Sequence, residues 1–101
     1  MKFDFADKKL RLLFTSLEGA DDYPESVVES FFEVVQVIKN AKDERDLYAL
    51  KSLRYEKLQG RRGQRGERSL RLNNQWRLIV KPERATDGKI VWVLSISNHY
   101  S

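Results

Sequence analysis

Apolar residues recur along this chain with two periods, and the change of period divides it. Lys2-Phe3-Asp4-Phe5 alternates polar and apolar and predicts a short strand. Asp7 then has the side chain of a helix cap, and Leu10, Leu13, Phe14 and Leu17 fall at helical spacing, so a helix is predicted over Lys8 to Leu17, ended by Gly19. Asp21-Asp22-Tyr23-Pro24 reads as a turn and a helix start with proline in the first turn. The second helix is predicted to run to Ala41 with Val27, Phe31, Val34, Val35 and Ile38 as its buried stripe. One further helical turn is expected in Asp43 to Leu50. From there the period becomes two. Strands are predicted at Tyr55–Gln59, Arg68–Leu72, Trp76–Lys81 and Lys89–Asn98. Between the first two lies a basic glycine-rich loop, Gly60 to Gly66. Ile90 to Leu94 is apolar at every position and predicts a strand covered on both faces. The order, a strand, two helices, then about four strands, is that of an α+β domain, with helices packed on one side of a mainly antiparallel sheet.

The second hairpin carries the most information. Leu70 and Leu72 must face the core, as must Trp76, Leu78 and Val80 on the next strand. A two-residue turn at Asn73-Asn74 would put Trp76 on the face of Arg71. A three-residue loop, Asn73-Asn74-Gln75, pairs Leu72 with Trp76 and Leu70 with Leu78, and asparagine tolerates the left-handed conformation such loops use. This register sets Arg71 opposite Arg77 on the other face, where like charges repel. The two guanidinium groups then either splay into solvent or face an anion or a carboxylate.

Charge sharpens the picture. The net charge is +4, but residues 1–50 carry a net −4 and residues 51–101 a net +8. The basic working face therefore belongs to the second half, and an anionic partner is expected. With no cysteine a disulfide framework is impossible, and a cytoplasmic location is expected. The apolar runs are far too short for a membrane span, and the first residues lack the apolar stretch of a signal peptide. The 101 residues suit a single domain. One histidine and no cysteine leave no zinc set, and no P-loop or dinucleotide fingerprint points to a cofactor.

Gly66-x-x-Ser69-Leu70-Arg71-x-Asn73-x-Gln75-Trp76-Arg77, preceded by Glu56-x-Leu58-x-Gly60, resembles the central signature of HigB-type toxins, relatives of RelE. The helix over Lys8 to Phe14 is similar to that family's first helix, so the likeness spans the chain. It implies a RelE-like fold and a toxin of a type II toxin–antitoxin system that enters the ribosomal A site and cuts mRNA. It also implies a cognate helix-turn-helix antitoxin, with DNA reached only through that antitoxin. In the family the last strand ends in an Asp-Tyr-His-like tail; here it reads Asn98-His99-Tyr100.

Metal-free RNA cleavage needs a base for the 2′-hydroxyl, cations for the phosphate and an acid for the leaving 5′-oxygen. Arg77 is the first candidate for phosphate stabilisation and Arg71 the second, since the guanidinium fork matches two phosphate oxygens. Glu56 stands where family members carry His or Glu; it is a candidate base, or a partner for Arg71 or Arg77. His99 is the side chain whose ordinary pKa lies near neutrality, and Tyr100 suits base stacking or proton donation. Lys57, Arg61, Arg62, Arg65 and Arg68 are candidates for contacts with ribosomal RNA phosphates. Trp76 and Trp92 are read as core residues. Two other functions fit the same fold: a ParE-like gyrase poison, and an RNA-binding domain without catalysis.

Overall fold

The computed structural model describes residues 1–98. The observed elements are β1 (Lys2–Phe5), α1 (Lys8–Ser16), α2 (Glu25–Asn40), α3 (Glu44–Ala49), β2 (Glu56–Lys57), α4 (Gly60–Gln64), β3 (Arg68–Arg71), β4 (Trp76–Ala85) and β5 (Gly88–Asn98), with 3-10 turns at Ala20–Asp22 and Lys51–Leu53. The strands form one sheet in the order β1-β5-β4-β3-β2. Every pairing is antiparallel except β1 with β5, which is parallel. The α+β architecture expected from the sequence is the one observed.

Local chemistry sets the helix boundaries. The Asp7 carboxylate accepts from the Lys9 amide at the start of α1, and Asp43 does the same for Arg45 at the start of α3. The residue that closes α1 is Leu17 in the left-handed region at φ 61°, two residues before the glycine expected to do so. The stripe on α2 is Val27, Phe31, Val34, Val35 and Ile38, all buried as its spacing predicts. It packs on one face of the sheet together with Leu10, Leu13, Leu70, Leu78, Val80, Val91 and Val93. Phe3, Phe5, Phe14, Phe31 and Phe32 cluster at the β1 end of that core, Phe14 stacked on Phe32 and the other pairs edge-on or tilted.

Strand alternation then sorts the other side chains. Leu70 pairs with Leu78 and Arg71 with Arg77, and the Leu72 amide bonds to the Trp76 carbonyl, so the three-residue hairpin register holds. Asn73 builds the loop: its side-chain oxygen accepts from the amides of Gln75 and Trp76 at 2.8 and 2.9 Å. A bulge follows on β5. Ile79 pairs with Ser95 but Val80 pairs with Val93, which leaves Leu94 as the extra residue. Below the bulge Ile96 lies opposite Leu78 towards the core, and Ser95 and Ser97 lie beside Ile79 and Arg77 on the open face.

Three expectations need correction. The Gly60–Gly66 segment is not a loop; it holds the short helix α4, and the strand before it shrinks to Glu56–Lys57. The reason is packing rather than propensity. A Cβ on Gly63 would lie 1.7 Å from the Leu58 carbonyl oxygen, so the α4 backbone sits directly against the chain leading into it. Ile90–Leu94 is fully buried on one face only: Val91 and Val93 are buried, whereas Ile90, Trp92 and Leu94 are half-buried. Trp92 pairs with Lys81 on the face away from the helices and is not a core residue. Trp76 is also half-buried, but it does pack on the core and meets Tyr23 edge-on at 5.9 Å.

Candidate functional site

The open face of the β2–β5 half of the sheet, flanked by α4, forms a cleft of about 340 Å³. Glu56, Lys57, Arg62, Ser69, Arg77, Ile79, Ser97 and Asn98 are among the residues that line it. The pairings explain the grouping. Glu56 lies opposite Ser69, Ser69 opposite Ile79, and Arg77 between Arg71 and Ser97. Residues opposite one another across strands share a face, so one row carries the carboxylate and the next the guanidinium groups. Ser69 and Ile79 are 4% and 2% exposed and make a dry floor, which strengthens the field of the charged groups above it.

The repulsion between Arg71 and Arg77 is met inside the hairpin. Arg77 Nη1 donates to the Asn73 carbonyl at 2.7 Å and to the Trp76 carbonyl at 3.2 Å. Arg71 Nη2 donates to the Asn74 side-chain oxygen. Each guanidinium thus turns towards the loop, and neither has a carboxylate partner among the described residues. Glu56 makes no ion pair among the described residues, so its expected pairing with Arg71 or Arg77 is not what holds it.

The basic residues expected to act together divide. Arg62 lines the cleft, with its Nε donating to Glu67 Oε1 at 2.9 Å. Arg65 Nε lies 3.6 Å from the other oxygen of the same carboxylate. Arg61 is exposed on α4 with no ion pair among the described residues, and Lys57 is exposed at the sheet edge. Arg68 faces the other way. It pairs with Val80 on the helix side of the sheet, where its charge acts on Glu44 and Tyr55, so it is not part of a surface formed with Arg61 and Arg62. Strand alternation already contained this, since Arg68 shares its face with Leu70. The residue missed in the sequence is Glu67, an acid embedded in a run of arginines and 8% exposed. His99 and Tyr100 lie outside the described residues; Asn98, which precedes them, lines the cleft.

On the helix side Glu44 accepts from the Tyr55 hydroxyl at 2.9 Å and from Lys89. Burial pushes the Glu44 carboxyl up, but the hydrogen bonds from Lys89 and Tyr55 and the Lys89 and Arg68 charges outweigh it and hold its pKa below the ordinary value. Burial, then the charge and hydrogen bond of Glu44, push the Tyr55 phenol up. This cluster ties α3 to the sheet. A larger groove of about 460 Å³ lies between α2 and α3, but Asp46 is the one ionisable group in its lining, so it assembles no acid–base or phosphate-binding set. Among the described residues no group of His, Cys, Asp and Glu is placed to hold a metal ion, and no helix is long and apolar enough to cross a membrane.

Two solved structures share this fold over nearly their whole length. One is the YoeB/ParE toxin from Agrobacterium tumefaciens, 16% identical with a TM-score of 0.60, the match covering 99% of this chain and 100% of that one. The other is YafQ from E. coli strain BL21(DE3), 14% identical with a TM-score of 0.56, covering 98% and 93%. No curated protein sequence matches the chain. A family model described as the RelE-like toxin of type II toxin–antitoxin system HigB matches residues 3–93, which takes in every element from β1 to the middle of β5. The chain belongs to the HigB-like family of RelE-like toxins from type II toxin–antitoxin systems.

Proposed function

We propose that this toxin is a ribosome-dependent mRNA endoribonuclease, acting as a single domain in the cytoplasm and working through the open-face cleft. The observation that carries the reading is that Glu56 and Arg77, a proton acceptor and a phosphate-matching cation, line one cleft over a dry floor. Glu56 takes the 2′-hydroxyl proton. The 2′-oxygen then attacks the adjacent phosphorus, the bond to the 5′-oxygen breaks, and the products are a 2′,3′-cyclic phosphate and a free 5′-hydroxyl once that oxygen is protonated. Arg77, with Arg71 beside it, stabilises the charge that builds on the non-bridging oxygens. His99 and Tyr100 are the candidates for the proton donor. The scheme draws on acid–base groups and cations alone, and its need for a 2′-hydroxyl confines it to RNA.

Lys57, Arg61 and Arg65 hold exposed charge at the rim and suit phosphates of ribosomal RNA. Membership of the family implies a cognate antitoxin. A helix-turn-helix antitoxin, bound to its own operator, fits this chain and would make DNA an indirect partner. The test is mRNA on programmed ribosomes, with the ends of the fragments mapped. Cuts within the A-site codon bearing 2′,3′-cyclic phosphates are expected. Intact mRNA with tight ribosome binding would leave a non-catalytic RNA-binding protein, and intact mRNA with inhibited gyrase would transfer the reading to a gyrase poison.

A further inference from the structure

The cleft contains a second arginine that the hairpin does not supply. Arg62 comes from α4, a helix that packs against the sheet edge rather than belonging to it. Backbone contact, hydrogen bonds and ion pairs hold that helix. Gly63 sits against the Leu58 carbonyl at a distance no side chain allows. The Glu67 amide donates to the Arg62 carbonyl at 3.0 Å, and the Glu67 carbonyl accepts from the Leu58 amide at 3.2 Å. The Glu67 carboxylate, 11% exposed, takes Arg62 Nε on one oxygen and lies near Arg65 on the other. Glu67 thus bonds α4 through its backbone and orients an α4 side chain through its carboxylate. A nearly buried acid in a basic run lowers the local positive potential, which is the wrong sign for a residue whose purpose is to attract RNA. The loss makes sense if the carboxylate aims a cation. With Nε engaged, both Nη groups of Arg62 carry no hydrogen bond among the described residues, so the guanidinium keeps donors for a ligand in the cleft.

We propose that Arg62 binds a backbone phosphate of single-stranded RNA inside the cleft, and that Glu67 is the positioning residue that holds it there. This rests on the nuclease reading for its biological substrate. It differs from that reading in taking Arg62 out of the ribosome-contacting rim, and in giving Glu67 a role. Arg62 and Arg77 approach from α4 and β4, so the two arginines contact different oxygens or successive phosphates of one strand.

The test uses a short RNA trinucleotide carrying 2′-O-methyl groups, which cannot be cut, titrated into the intact toxin and followed by amide NMR up to millimolar concentration. Arg62→Ala is expected to weaken binding roughly tenfold, the worth of one charge-assisted hydrogen bond. It should also flatten the logarithmic salt slope by about 0.7, one phosphate contact on a single strand. Glu67→Ala decides the positioning role by its sign. It removes a negative charge, so simple attraction predicts tighter binding, whereas loss of an aimed arginine predicts weaker binding, approaching that of Arg62→Ala. In the Arg62→Ala background the same change should cause no further loss. Glu67→Gln keeps an acceptor for Nε and is expected to recover part of the affinity; it also serves as the readout if Glu67→Ala fails to fold. Unchanged affinity in Arg62→Ala, tighter binding in Glu67→Ala, or no binding of the trinucleotide by the parent protein overturns the proposal. A parent protein that binds the trinucleotide but cuts no mRNA on ribosomes refutes the nuclease reading and leaves the assignment of Arg62 standing.

Discussion

Replacing Arg77 with alanine separates chemistry from fold more cleanly than any other single change. The stability side can be worked from its contacts. Two hydrogen bonds disappear, from Nη1 to the Asn73 and Trp76 carbonyls at 2.7 and 3.2 Å. Both acceptors lie on the half-buried hairpin end where water can replace the guanidinium, so the loss is about 1 kcal/mol in total. Against it stands relief from the cross-strand pairing with Arg71, roughly 0.2–1 kcal/mol. The net change should stay within about 1 kcal/mol, a Tm shift of no more than roughly 4–8 °C for a domain of this size. The chemical side is much larger. Removing one donor aimed at developing charge costs on the order of 100- to 1000-fold in rate, and the loss should fall on kcat because it is felt in the transition state. Trp76→Ala, one residue away, gives the contrast. It removes a half-buried ring in contact with Tyr23 and should lower stability by about 2 kcal/mol, less than the roughly 3–5 of a fully buried aromatic. The assay is single-turnover cleavage on programmed ribosomes beside thermal melts of both variants. An Arg77→Ala protein that cuts at the parental rate removes Arg77 from the site. One that melts as low as Trp76→Ala shows that its carbonyl contacts are structural and that the rate cannot be read as chemistry.

Two further expectations test the scaffold around the site. Gly63→Ala would place a Cβ 1.7 Å from the Leu58 oxygen, so α4 must retreat by more than 1 Å; cleavage should drop by roughly 100-fold while the melt, set by the core on the other face, moves little, and a parental cleavage rate would show that the position of α4 is immaterial. Glu44 has its pKa held down in the folded state, so its contribution is present above the ordinary carboxylate value near 4.5 and fades as pH falls through the depressed one. Glu44→Gln should therefore flatten the acid limb of a Tm-against-pH curve and lower neutral stability by about 1–2 kcal/mol, and a curve parallel to the parent's below pH 4.5 would refute the linkage.

The parts of this fold that could be read from the sequence are those where one side chain decides one face. The odd hairpin loop follows from Leu70, Leu72, Trp76 and Leu78, because a register slip of one would expose all four. The α2 stripe follows from its spacing for the same reason. The alternation that sets Leu70 inward also sets Arg68 inward, against what its basic neighbourhood suggests. The unbroken apolar run Ile90–Leu94 hides the alternation at Trp92, which Val91 and Val93 leave on the other face. The β5 bulge left a trace, the odd interval between Val93 and Ile96, that breaks the alternation at Leu94. The helix α4 left none. Gly-Arg-Arg-Gly-Gln-Arg-Gly has the composition of a loop, and what accompanies its helical form, the Gly63 contact with Leu58 and the bonds of Glu67, is not visible in composition or period.

The helix face of the sheet carries the core and the open face carries the cleft, and the bulge on β5 keeps the two apart. Without the extra residue at Leu94, continuing the pairing of Val80 with Val93 would set Leu94 beside Ile79 and Ile96 beside Arg77. An apolar chain would then fill the cleft, and Ser95 would face Leu78 in the core. With it, Ile96 joins the core and Ser95 and Ser97 line the open face, leaving room for an anion next to Arg77. A hydroxyl can follow a phosphate oxygen or a water, whereas an isoleucine would exclude both. The odd interval between Val93 and Ile96 therefore keeps the second row of the site polar while the first row, on Ser69 and Ile79, stays dry. Under the nuclease reading, substitutions on this face should change cleavage of RNA without changing whether the chain folds, and substitutions on the helix face should do the reverse.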